Sequence, residues 1–214
     1  MTKTNPGPIA SLHQIRAGDE VAMPEAVPAG TWAIDPSASS LQFVARHMMV
    51  SKVRGRFLQF QGRILTGTDP SDASVEAWAD AASLSTGDEA RDEHLRSADF
   101  FDVERWPRLT LVGALKPSST RRRLLAAQLT IRDVTCPVDF QVTLTGLHGG
   151  DPGDGSTDES SPTPAAGTVM HVLATSKVNR KDFDLRWNAT IETGGVVVGD
   201  MVELVLDVTA HLEA

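Results

Sequence analysis

The chain has 214 residues, with 20 Lys and Arg against 28 Asp and Glu and a formal net charge of −8. That length suits one all-β domain with tails, and it buries enough surface to stand without a disulfide or metal staple. The acidic balance disfavours nucleic acid as a partner, the single Cys136 excludes an internal disulfide, and no apolar run approaches the ~20 residues of a membrane-spanning helix.

Residues 1–30 carry Pro6, Pro8, Pro24 and Pro28 with scattered charge and read as an irregular arm, in which Ile9, Leu12, Ile15 and Val21 are candidates to dock on the body. The arm lacks the uninterrupted apolar stretch of a secretory signal, so a cytoplasmic protein is expected. The folded domain is placed at 31–214. It opens with a short extended segment at Thr31–Asp35, after which Leu41, Phe43 and Ala45 alternate with Ser40, Gln42 and Val44 as in a half-buried strand. Val53 to Leu65 is a longer extended run, with Gly55 and Gly62 as bend or bulge positions. Val75, Ala77, Ala79 and Ala81 alternate with Glu76, Trp78 and Asp80. Further runs lie at 109–115, 124–131, 138–147 and 169–175. The last, Val202, Leu204, Leu206, Val208, Ala210 and Leu212, alternates most cleanly.

Two interruptions read as short helical turns, at His47–Ser51 and at Asp88–Ser97, the second with Asp88 as an acidic N-cap. The 148–167 stretch is a polar Gly, Pro and Ser tract with almost nothing to bury, and reads as a long loop inside the domain. About eight long strands with little helix predict an antiparallel barrel or sandwich.

His47, Asp92 and His94 invite a catalytic or metal-binding reading. Asp92 and His94 stand only two apart on a helix, however, and so point in different directions. No HExxH spacing, cysteine cluster or Gly-x-Ser-x-Gly elbow is present. Arg121-Arg122-Arg123, the one dense basic cluster, reads as a solvated turn. The aromatics are spread over several elements, and many inward positions are small: Ala45, Gly55, Ala77, Ala79, Gly113 and Ala174 among them. An eight-stranded barrel is just wide enough to fill with side chains or to hold one slender ligand. The small residues favour a hollow interior.

Several blocks resemble the YceI-like family. Thr31-Trp32-Ala33-Ile34-Asp35 resembles its opening strand, and Arg46 to Phe57 its first signature. Arg91 to Asp102, followed by Trp106-Pro107, is similar to the second. Leu129 to Val138 resembles the third, Asn179 to Trp187 the fourth, and Val198-Gly199-Asp200-Met201-Val202 opens the last strand in the same way. The chain departs from the family at Ser37-Ala38-Ser39-Ser40, where a histidine is usual, at Phe183-Asp184 in place of Phe-Gly, and in its long Gly/Pro loop.

The resemblance implies an elongated, eight-stranded, lipocalin-like antiparallel barrel with one or two short helices at its mouth. It implies a protein that carries or sequesters a polyisoprenoid, isoprenoid quinone or fatty-acid derivative, without chemistry or cofactor. Phe43, Phe57, Phe60, Phe100, Phe101 and Phe183 are then expected to contact the lipid, together with Trp78, Leu95 and Trp187. Arg46, His47, Arg91 and His94 are expected to orient a polar head at the mouth. Two other readings remain open: an enzyme acting on a lipid substrate at the His47/Asp92/His94 end, and a filled barrel serving as a stress or interaction module. Barrels of this kind often pair through exposed strands, so a homodimer is a candidate assembly.

Overall fold

The computed structural model describes residues 27–47, 51–69, 72–116, 123–149, 167–189 and 198–213. Most of the expected arm and of the Gly/Pro loop, together with Arg121 and Arg122, lies outside them.

Eleven strands form one sheet that closes on itself. They are β1 (Gly30–Ile34), β2 (Ser40–His47), β3 (Ser51–Phe57), β4 (Phe60–Thr66), β5 (Ala73–Asp80), β6 (Leu84–Ser85), β7 (Arg108–Lys116), β8 (Arg123–Ile131), β9 (Val134–His148), β10 (Val169–Asn179) and β11 (Val198–Leu212). The C-terminal part of β11 pairs with β1 and its N-terminal part with β2, while β4 pairs with β1 and β3 with β2. Thus β1 and β2 form one interrupted strand, as do β3 and β4, and β5 and β6. Merged in this way, the sheet is a closed eight-stranded antiparallel barrel in which neighbours are adjacent in sequence except for the closing pair of the last strand with the first. The strand count is the one expected from the alternation, and the barrel is the one the family resemblance implied.

Side chains repair each interruption. Between β1 and β2, the Ser39 hydroxyl donates to the Thr209 carbonyl at 3.2 Å and accepts from the Thr209 N–H at 2.9 Å, replacing a missing ladder pair. Asp35 accepts from both the backbone and the hydroxyl of Ser37, which closes the turn. Between β3 and β4, the N–H groups of Leu58 and Gln59 donate to the Ser83 hydroxyl at 3.1 and 3.0 Å. Ser83 itself ends the 3-10 turn Ala81–Ser83 that separates β5 from β6, so one kink is braced by the next.

Helix α1 (Glu89–Arg96) starts at the expected N-cap: the Asp88 carboxylate accepts from the Arg91 N–H. A second short helix lies at Arg180–Phe183; the turn expected at His47–Ser51 falls largely outside the described residues, with His47 and Ser51 as paired strand ends. Both helices cap what we call the upper end of the barrel. The lower end is closed around Trp32, which is fully buried with Met170 and Ala210. Its Nε1 donates to Thr66 Oγ1 at 2.9 Å, and that hydroxyl donates to the Pro28 carbonyl at 2.6 Å. No helix among the described residues is long and apolar enough to cross a membrane.

Candidate ligand-binding cavity

The inner faces of the strands do not meet. They enclose a cavity of about 580 Å³, within the range of pockets that hold small ligands. The alternation that builds the strands also builds the wall. Leu41, Phe43 and Ala45 of β2 reach it, as do Val75, Ala77 and Ala79 of β5, and Val202, Leu204, Leu206 and Val208 of β11. The facing strands add Phe140, Val142, Val172 and Ala174. Among the small residues, Ala45, Ala77, Ala79 and Ala174 leave open space. Gly55 does not: the Phe43 ring lies across it, so that a Cβ there would meet Cε1 at 2.6 Å.

Aromatic side chains close the upper end. Phe43 packs on Phe57, and Phe57 meets Phe101 edge-on with centroids 5.9 Å apart. Phe100 is buried and lies 5.3 Å from Trp187, while His94 stands edge-on to both rings. Phe183 and Leu185 are buried beside them. Helix α1 contributes Leu95 to the cavity wall. At the other end Thr66, Gly67, Asp69, Asp72 and Arg123 border the cavity, and Gln42, Gln61, Thr110 and Arg180 add polar groups elsewhere in the lining.

Arg180 holds the upper closure in place. It is only 4 % exposed, and burial pulls its guanidinium below the usual arginine range. Nε donates to the Gly199 carbonyl, Nη1 to those of Leu185 and Trp187, and Nη2 to that of Val198 and to the Asp200 carboxylate. One side chain therefore ties the segment bearing Leu185 and Trp187 to the start of β11. Asp200 also receives the Lys181 ammonium at 2.8 Å, which holds its carboxyl below the ordinary range, with the charges of Lys181 and Arg180 adding to the effect.

The residues expected to touch a ligand divide into two groups. Phe43, Phe57, Phe60, Leu95, Phe100, Phe101 and Phe183 all border the cavity. Trp78 borders it too, although its ring is stacked under the Arg108 guanidinium, 4.2 Å from the centroid. Of the expected head-orienting residues, Arg46, Arg91 and His94 do not border the cavity. Arg46 is exposed on the outer side of β2, and His47 ends that strand opposite Ser51. Arg91 donates to Thr86 and faces Asp88, and His94 bonds the Asp99 carboxylate at 3.0 Å. Trp187 packs above the wall, on His94 and Phe100.

Asp92 is buried and accepts from both the N–H and the hydroxyl of Thr86. Among the described residues no three His, Cys, Asp or Glu side chains converge as metal ligands would. The sequence reading missed Arg180 and Arg132. Arg132 sits in the left-handed region in the β8–β9 turn; its Nη1 donates to the Phe100 carbonyl at 3.4 Å, and its buried Nε has no partner. Both lie inside blocks quoted above, but periodicity carries no signal for a cation, buried as at Arg180 or half-buried as at Arg132, between two strands.

Compared with known proteins, the YceI-like domain family matches residues 32–210. A UPF0312 protein of Staphylococcus aureus strain MSSA476 is 34 % identical over 176 residues, which cover 80 % of this chain and 92 % of that protein. Among solved structures, BcnA of Burkholderia cenocepacia superposes with a TM-score of 0.63 at 19 % identity, over 82 % of this chain and 98 % of that one. A polyisoprenoid binding domain from Saccharophagus degradans superposes with a TM-score of 0.58 at 17 % identity, over 87 % of this chain and all (100 %) of that one.

Proposed function

The chain belongs to the YceI-like family, and from that premise we propose that its barrel binds and carries a long-chain apolar lipid, a polyisoprenoid or a molecule of similar shape. One observation carries the reading: a cavity of about 580 Å³, walled almost wholly by hydrocarbon, runs from beneath α1 to the polar rim at Thr66 and Arg123. Each methylene moved from water into such a wall gains about 0.8 kcal/mol. A chain with some twenty buried carbons thus gains on the order of 16 kcal/mol before ordering costs remove much of it. Micromolar or tighter binding follows without any hydrogen bond to the lipid. The Saccharophagus degradans domain of the same fold, described as polyisoprenoid binding, supports an isoprenoid as the guest.

A carrier fits the site better than a catalyst does. Asp92 is committed to Thr86 and His94 to Asp99, so neither is poised for proton transfer at the cavity. The test is titration of delipidated protein with dispersed polyprenols of increasing length. Saturable binding that tightens with each added isoprene unit until the cavity is full supports the proposal. Binding that is absent, or indifferent to chain length, contradicts it.

A further inference from the structure

The outer side of the wall formed by β2 and β3 carries Arg46, Lys52, Arg54 and Arg56. Lys52, Arg54 and Arg56 alternate with Val53, Gly55 and Phe57, so they form one outward line spaced about 7 Å apart. Arg46 stands opposite Lys52 in the ladder. All four are exposed, and none has a carboxylate partner among the described residues.

Several of the nearby acids are already engaged, although Glu93 of α1 and the exposed Asp207, opposite Ser40, are not. Glu203, opposite Val44, pairs with Lys177, and Asp200 with Arg180 and Lys181. Asp88 pairs with Arg91, and Glu89 with Arg96. In a chain of net charge −8 this is a local field of the opposite sign. Leu58, 54 % exposed, ends the line.

The stripe also borders a break in the wall. Strand β6 pairs only with Arg56 and Phe57, so among the described residues 51–55 have no strand on their far edge. The inner side of the same strands presents Phe43, Ala45 and Phe57 to the cavity.

We propose that this stripe docks the barrel side-on against an anionic lipid surface, so that the cavity exchanges its guest with a membrane. The inference rests on reading the cavity as a lipid site. A guest too apolar to dissolve in water has to be met where it resides, and unpaired cations beside this open strand edge supply the attraction to that place. Each Lys or Arg near an anionic surface raises the partition about five-fold. Protecting a strand edge against pairing with another chain needs only scattered charge and would give no preference for one vesicle over another.

The experiment is vesicle flotation of the full chain with phosphatidylcholine vesicles and with equimolar phosphatidylcholine and phosphatidylglycerol. The protein is expected to float with the anionic vesicles only, and to be released by salt. The double substitution Arg54→Gln with Arg56→Gln should weaken that adherence about 25-fold, two five-fold steps. The control pair Arg63→Gln with Lys116→Gln, outer cations already matched by Glu76 and Asp139, should leave it unchanged.

Binding of detergent-dispersed polyprenol is measured on the same samples. Vesicle adherence without polyprenol binding means that the cavity reading fails while the docking surface stands. Equal adherence to both vesicles, an undiminished double variant, or preference for a nucleic acid over anionic vesicles overturns the docking proposal.

Discussion

Gly55 and Phe43 show how a single missing side chain shapes the chamber. A Cβ on Gly55 would collide with the Phe43 ring, which is rigid and hemmed in by Phe57. Gly55→Ala is therefore expected to destabilise the protein by about 1–3 kcal/mol, the usual cost of overpacking. Combining it with Phe43→Ala should recover part of that loss, a non-additivity that a double-mutant cycle of melting curves will reveal. Phe57 and Phe101 meet edge-on at the upper wall of the cavity. Phe57→Asp or Phe101→Asp places a carboxylate in an apolar chamber, where it is costly to keep unpaired. The expected outcome is loss of bound lipid from a protein that still melts cooperatively; a folded variant with wild-type lipid content would refute the wall assignment.

Among the elements, the upper closure depends on Arg180. Replacing it with Met removes the donor to the Leu185 and Trp187 carbonyls, while Val198 keeps the Asn188 side-chain amide. Each buried orphan costs about 1–3 kcal/mol, so Arg180→Met should lower stability by about 3 kcal/mol or more and loosen the environment of Trp187, readable in its fluorescence. Acid acts on the same joint through Asp200. Its pKa is depressed in the folded state, so its stabilising contribution is present above the ordinary unfolded value of about 3.9 and is lost as pH falls through the lowered native value. Asp200→Asn should therefore flatten the acid limb of a stability–pH curve below about pH 4 while leaving the neutral region parallel. An unchanged acid limb would show that the Lys181 and Arg180 pairings contribute nothing to folding.

At the scale of the whole molecule, the strands were legible because period two recurs from Leu41-Phe43-Ala45 to Val202-Leu204-Leu206-Val208, and the family resemblance turned barrel or sandwich into barrel. Less legible were the joints. Ser39 and Ser83 are ordinary polar residues in sequence, and only the closed ladder shows that each replaces missing backbone bonds. The hollow was half legible. Ala45, Ala77 and Ala174 do leave space, whereas Gly55 is filled by a ring from the neighbouring strand. Cross-strand register decides which small residue stays empty, and composition does not encode register. The expected head-binding cations were assigned to the mouth of the barrel, but strand alternation turns Arg46 outward and helix capping ties Arg91 to Thr86 and Asp88.

The hollow can be probed by filling it. Ala174, buried in mid-wall opposite Val142 and Leu206, is the position to enlarge. In delipidated protein Ala174→Phe should cost little or raise the melting temperature, while lipid retention falls; a tightly packed interior would instead lose about 1–3 kcal/mol. The most direct test of lipid carriage is native mass spectrometry of the freshly purified protein, followed by solvent extraction of whatever remains bound. The account predicts a discrete added mass that disappears on extraction and proves to be a long-chain apolar lipid. Protein that flies at its bare sequence mass, and that still takes up no lipid when offered a dispersed polyprenol, would contradict it.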